Sequence, residues 1–70
     1  MKRNLREFVK ERRRILKFTQ NDLAEKAGVG LRFIRELEQG KQTLRLDKVD
    51  QVLSLFGYRM GPVKAGYENE

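Results

Sequence analysis

Cysteine and histidine are absent from this chain, proline occurs once, and Ser54 is its one serine. Without thiols there is no disulfide and no thiolate nucleophile. Without imidazoles there is no side chain that titrates near neutrality, and the two absences together remove the usual zinc ligands. Ser54 sits in a strongly apolar run with no base nearby in sequence, so it reads as a small helix residue. Paired carboxylates remain available for acid–base work, but 70 residues leave little volume for a pocket of roughly several hundred cubic ångströms. The expectation is a chain that is no enzyme and takes no metal, cofactor or small-molecule substrate. The density of charge rules out a membrane span, and the opening residues hold no apolar stretch of the secretory kind. Lack of cysteine fits the reducing cytosol, so a cytoplasmic location is expected.

What is present points to one small globular unit. Hydrophobic residues make up 39% and charged residues 37% of the chain, too apolar for wholesale disorder. A single core of this size rarely supplies more than ~3–5 kcal/mol, and with disulfides and metals closed off, the remaining supplement is a partner chain. Lys and Arg number 16 against 10 acidic residues, a net charge of +6 with a pI near 10.1. The excess is uneven. Residues 1–18 hold Lys2, Arg3, Arg6, Lys10, Arg12, Arg13, Arg14 and Lys17 against Glu7 and Glu11, and the rest of the chain is neutral overall. Such a segment is either a solvated helix face or the footprint of a polyanion, nucleic acid or acidic membrane.

Along the chain the punctuation is helical. Asn4 with Glu7 resembles a capping box, and Leu5, Phe8, Val9, Arg12, Ile15 and Leu16 recur at helical spacing, which predicts a first helix over roughly 4–16. Thr19 with Asp22 marks a second start, with Leu23, Ala24 and Ala27 as its buried face and Gly28 as its stop. A third helix runs from Leu31 to Gln39 and ends at Gly40. Ile34, Leu37 and the stem of Glu38 fall on one side of it, and Arg32, Arg35, Glu36 and Gln39 on the other. After the connection Lys41 to Leu46, Asp47 is read as the cap of a fourth helix carrying Val49, Val52, Leu53 and Phe56 up to Gly57. Residues 58–63 alternate as a short strand does, with Pro62 confining it to an edge. Residues 64–70 read as a loose tail.

Two short helices joined by a glycine-containing turn are the plan of a helix-turn-helix. The run Thr19 to Val29, with Ile34, Leu37, Glu38, Gly40 and Lys41, resembles the Xre/Cro family of helix-turn-helix regulators. Arg12 and Arg13 before the motif, with Gly40 to Leu46 and Gly57 to Met60 after it, are similar to the HipB-type antitoxin branch. The resemblance spans about residues 5–61. It implies an all-α, four-helix, phage-repressor-like domain over 1–57, with a C-terminal strand over 58–63 that pairs across a homodimer. It also implies a repressor of its own promoter that binds operator DNA and, as an antitoxin, a kinase-like toxin. The alternative is a free-standing phage- or plasmid-type repressor without a toxin.

Carried over by position, Leu31, Arg32, Arg35 and Glu36 face bases, and Thr19, Gln20, Lys41 and Thr43 face phosphates. Arginine can bond guanine O6 and N7 together, and leucine can meet a thymine methyl. Glu36 either accepts from cytosine or pairs with Arg32 one turn away. Arg13 and Glu38 occupy positions of a partly buried ion pair. Phe33 departs from the small polar residue common at its position in phage repressors, and its ring is expected to pack on the scaffold edge. Leu55, Phe56, Tyr58, Arg59 and Met60 are assigned to the dimer, against the alternative of a disordered tail after a helix-mediated dimer. Two readings from other classes compete: a protein-interaction module acting through the fourth helix and tail, and a basic amphipathic first helix lying on a membrane surface.

Overall fold

Among the described residues four helices form, and all stop in the same way, by a residue in the left-handed conformation that turns the backbone over the last carbonyls. A computed structural model describes residues 4–62 and contains α1 (Leu5–Ile15), α2 (Gln20–Ala27), α3 (Leu31–Gln39) and α4 (Leu46–Leu55). Gly28, Gly40 and Gly57 end α2, α3 and α4 at φ 76°, 84° and 84°. In each case the next residue's N–H reaches back to a carbonyl of the last turn: Val29 to Ala24, Lys41 to Glu36 and Tyr58 to Leu53. Lys17 does the same for α1 at φ 61°, with the Phe18 N–H on the Arg13 carbonyl, although a side chain makes that conformation unfavourable.

Helix starts are more varied. At α2 both halves of a capping box form, the Thr19 hydroxyl accepting the Asp22 N–H at 3.0 Å and the Asp22 carboxylate accepting the Thr19 N–H at 2.9 Å. Asn4 caps α1 by accepting the Glu7 N–H at 3.0 Å. The expectation for α4 needs correcting. Arg45 is the capping position and makes no side-chain cap bond, while Asp47 lies inside the first turn, paired with the Arg45 guanidinium at 2.7 Å. An acid in the first turn still suits the positive end of the helix dipole.

The core joins one residue of α1, Val9, to Leu23 and Ala24 of α2, Ile34 and Leu37 of α3, and Val49, Val52 and Leu53 of α4. Phe33 is half-buried against it, as expected of its ring. The apolar stripe of α1 is shorter than its spacing predicts: Ile15 and Leu16 are 57% and 43% exposed, because the chain turns away at Lys17 before they reach the core.

The strand expected over 58–63 is not formed among the described residues, and Val63 and the tail lie outside them. A lone strand needs a partner edge. Here the segment turns back on α4 instead, with the Tyr58 N–H on the Leu53 carbonyl at 2.9 Å and the Met60 N–H on Asp50 Oδ1 at 2.7 Å. The Tyr58 ring meets Phe8 edge-on, centroids 4.8 Å apart.

Candidate nucleic-acid interface

α3 has two faces with opposite fates. Ile34, Leu37 and Glu38 are buried, whereas Arg32, Arg35 and Gln39 are exposed on the other side, flanked by the half-buried Leu31 and Glu36. At about 100° per residue no other partition of this sequence buries its leucine and isoleucine together.

Glu38 is the anchor of the inner face. Its carboxylate is 2% exposed and receives both the Arg13 Nε at 2.7 Å and the Arg13 Nη2 at 3.0 Å, the paired geometry that planar guanidinium favours. Gln20 Nε2 adds a third bond at 3.1 Å, and Arg13 Nη1 donates to the Phe18 carbonyl at 3.0 Å. One carboxylate therefore ties α1, the turn after it, the first residue of α2, and α3. Gln20 spends one amide proton on this node.

On the outer face Glu36 Oε2 accepts from Arg32 Nε at 3.3 Å and Lys41 Nζ at 3.4 Å. Arg35 is exposed and makes no ion pair among the described residues. It lines a groove between α1, α2 and α3 that also contains Arg14, Lys17, Thr19, Gln20 and Asn21. The Gln20 and Asn21 N–H groups at the start of α2 have no carbonyl partner within the helix, so this groove has both fixed donors and mobile cations. The Asp22 carboxyl is held below its usual range by the Thr19 N–H and then the Thr19 hydroxyl, which keeps the cap ionised beside these donors. A second groove flanks α3 on its other side, around Phe33, with Arg32, Lys41, Thr43, Arg45 and Lys48. Lys41 and Thr43 are exposed there. Cations on both flanks of a protruding polar helix can bind two lines of phosphate while the helix enters between them.

Arg14, Lys17, Asn21, Arg45 and Lys48 were not singled out by sequence. The signal for Arg14 and Lys17 was the basic excess of the first residues, but Arg45 and Lys48 come from the neutral remainder and only the fold brings them to α3. Leu55, Tyr58, Arg59 and Met60 are exposed, and Phe56 is half-buried. Among the described residues no helix is long and apolar enough to cross a membrane.

Residues 9–62 match the helix-turn-helix family. A stretch of 38 residues is 58% identical to an uncharacterized HTH-type transcriptional regulator, y4mF, of Sinorhizobium fredii (strain NBRC 101917 / NGR234), covering 54% of this chain and 50% of that protein. The match thus spans half the length of that relative. No solved structure matches the chain.

Proposed function

The chain belongs to the helix-turn-helix family, and from that premise we propose that it is a sequence-specific, DNA-binding transcriptional repressor that works as a homodimer and catalyses no reaction. One observation carries the reading. α3 is locked to α1 and α2 through buried Glu38, and the same rigid helix turns Arg32 and Arg35 to solvent between two cationic grooves. α3 is the helix laid in the major groove, and α2 crosses the backbone. Leu31, Arg32, Arg35 and Glu36 read base edges. Thr19 and Gln20 at the start of α2, with Lys41 and Thr43 after α3, hold phosphates. The Sinorhizobium fredii relative is named as an HTH-type transcriptional regulator, which agrees with this role.

A single α3 makes too few contacts for useful specificity, so two copies read half-sites about one helical turn, ~34–36 Å, apart. Support for a dimer comes from the exposed Leu55, Tyr58 and Met60. The Tyr58 and Met60 N–H groups are engaged within the chain. Those of Arg59 and Gly61 alternate with them and are free to pair with the same segment of a second copy. Truncation after Gly57 is expected to abolish the dimer in sedimentation and tight operator binding together; a dimer surviving at micromolar concentration would overturn the pairing of this segment.

The direct test of DNA recognition is selection of duplexes from a random pool, followed by a salt titration. A roughly palindromic site is expected, with log affinity falling linearly in log salt by about 0.9 per phosphate neutralised. Failure to enrich any site, or binding indifferent to salt, overturns the reading. The finer role we infer, supported by the likeness of Gly40 to Leu46 and Gly57 to Met60 to the HipB-type branch, is that of an antitoxin that also binds a kinase-like toxin. Co-expression with the product of the adjacent reading frame tests it. Without co-purification, the free-standing repressor is the better description.

A further inference from the structure

Of the two acidic residues in α3, only Glu36 lies toward the outward face, and its position among cations is not what phosphate affinity alone would select. One oxygen, Oε2, holds both the Arg32 guanidinium and the Lys41 ammonium, at 3.3 and 3.4 Å. Lys41 is delivered there by the backbone: Gly40, at φ 84°, turns the chain so that the Lys41 N–H donates to the Glu36 carbonyl at 3.1 Å. The acid thus sits between a residue assigned to bases and a residue assigned to phosphates.

We propose that Glu36 is a charge clasp that sets DNA specificity by withholding Arg32 and Lys41 from phosphate at the wrong sites. This rests on the DNA-binding reading above. The contacts are longer than the 2.7–2.9 Å typical of strong charge-assisted bonds, and Arg32 is 91% exposed, so the clasp opens readily. What opens it differs between sequences. A random duplex offers phosphates that must compete with the carboxylate for both cations and are themselves repelled by it. A matching site offers a guanine edge to Arg32 and a cytosine amine to the freed carboxylate, so the penalty is recovered only there. Arg35, which makes no ion pair among the described residues, is available to make the first encounter.

The experiment compares Glu36→Gln with the unaltered protein on the selected duplex and on a random one, across salt. Glu25→Gln serves as control, since it removes an exposed acid of α2 outside the clasp. One additional neutralised phosphate is worth about eightfold at roughly 0.1 M salt, from the slope of about 0.9. Glu36→Gln is therefore expected to bind random duplex about eightfold tighter, with a salt slope steeper by about 0.9, for each of the two freed cations that neutralises a phosphate, and to lose discrimination by a similar factor. Glu25→Gln should change random binding less than about twofold. Lys41→Ala should cost more random-duplex affinity in the Glu36→Gln background than in the native one. Equal effects of the two glutamine variants would reduce the result to net charge and overturn the clasp. So would a silent Glu36→Gln in a protein that otherwise binds DNA with normal salt dependence, and in that outcome the DNA-binding reading stands. Salt-indifferent binding by the unaltered protein overturns both.

Discussion

Glu38 and Glu36 stand two residues apart on α3 and do opposite things. Glu38 is 2% exposed and satisfied by three short bonds from Arg13 and Gln20, while Glu36 is 26% exposed and shares one oxygen between two cations at 3.3 and 3.4 Å. The difference is one of environment. A buried carboxylate cannot lose a partner without leaving a charge stranded away from water, whereas a half-buried one at the surface exchanges partners with solvent at lower cost. The inner face of α3 therefore stores stability and the outer face stores choice.

The largest expected effect breaks the inner side. Arg13→Ala or Glu38→Ala should cost about 3–5 kcal/mol, because the surviving partner is left unpaired in a buried site. That equals the whole stability expected of a domain this small, so about half of the protein should already be unfolded at room temperature at the start of a thermal or urea melt. The double replacement Arg13→Met with Glu38→Leu should be milder than either single, since it removes both charges. Gln20→Ala should destabilise by about 1.5 kcal/mol, the value of a hydrogen bond to a charged group. Small, additive losses would mean that the node is not where stability resides.

On the outer side the same truncation should leave the melt nearly unchanged, within about 0.5 kcal/mol, and act on DNA. Arg32→Ala or Arg35→Ala should each cost about 1–3 kcal/mol on the selected duplex and relax preference at particular base pairs. Lys41→Ala should instead relax preference at no particular base pair, and should cost the selected duplex more than the random one, where Glu36 holds the lysine back. If Arg35→Ala and Lys41→Ala gave the same specificity profile, α3 would not be the reading helix.

How much of this division was legible in the sequence depends on the range of the interaction. Thr19 with Asp22, and Gly28, Gly40 and Gly57, announce local hydrogen bonds between near neighbours, and the helix limits followed from them. The Arg13–Glu38 contact joins residues 25 positions apart; no periodicity reveals it, and it entered only through family likeness. The partnership of Gln20 with Glu38 was invisible for the same reason, so Gln20 was read toward phosphate alone. Asp47 misled because an acid two residues into α4 looks like a cap when the true boundary lacks a capping side chain. The strand is absent among the described residues for a different reason: a strand is a property of two segments, and α4 supplies the first partners this backbone finds.

Next in size are the two glycines that end α3 and α4, which share φ 84° but differ in surroundings. A methyl on Gly40 would lie 3.0 Å from Cδ and 3.2 Å from Nη1 of Arg6, whereas one on Gly57 would meet nothing within 4 Å. Both replacements by alanine should cost about 1 kcal/mol for the left-handed backbone. Gly40→Ala should cost up to about 1 kcal/mol more, because the Arg6 guanidinium must leave the Gln39 carbonyl it reaches at 3.4 Å. Since Gly40 also sets Lys41 against Glu36, its variant should disturb DNA discrimination as well, and Gly57→Ala should not. Equal behaviour of the two in both assays would detach the end of α3 from the outer face.

The smallest effect separates stability from binding within a single residue. Lys17 holds the left-handed position that glycine holds at the other three helix ends, and its ammonium lines the groove beside Arg14 and Arg35. Replacing it by glycine removes the steric cost of φ 61° while leaving the Phe18 N–H and carbonyl free to keep their bonds to Arg13. Glycine also enlarges the unfolded ensemble, so the net gain should be modest, about 0.5 kcal/mol. The same change deletes a cation from the phosphate groove, and the salt slope should shrink by about 0.9 if that cation neutralises one phosphate. Lys17→Gly is thus expected to melt higher and bind DNA more weakly. A variant that gained or lost both together would show that the turn after α1 acts through the fold alone, and that its lysine is not held in this strained conformation for the sake of the polyanion.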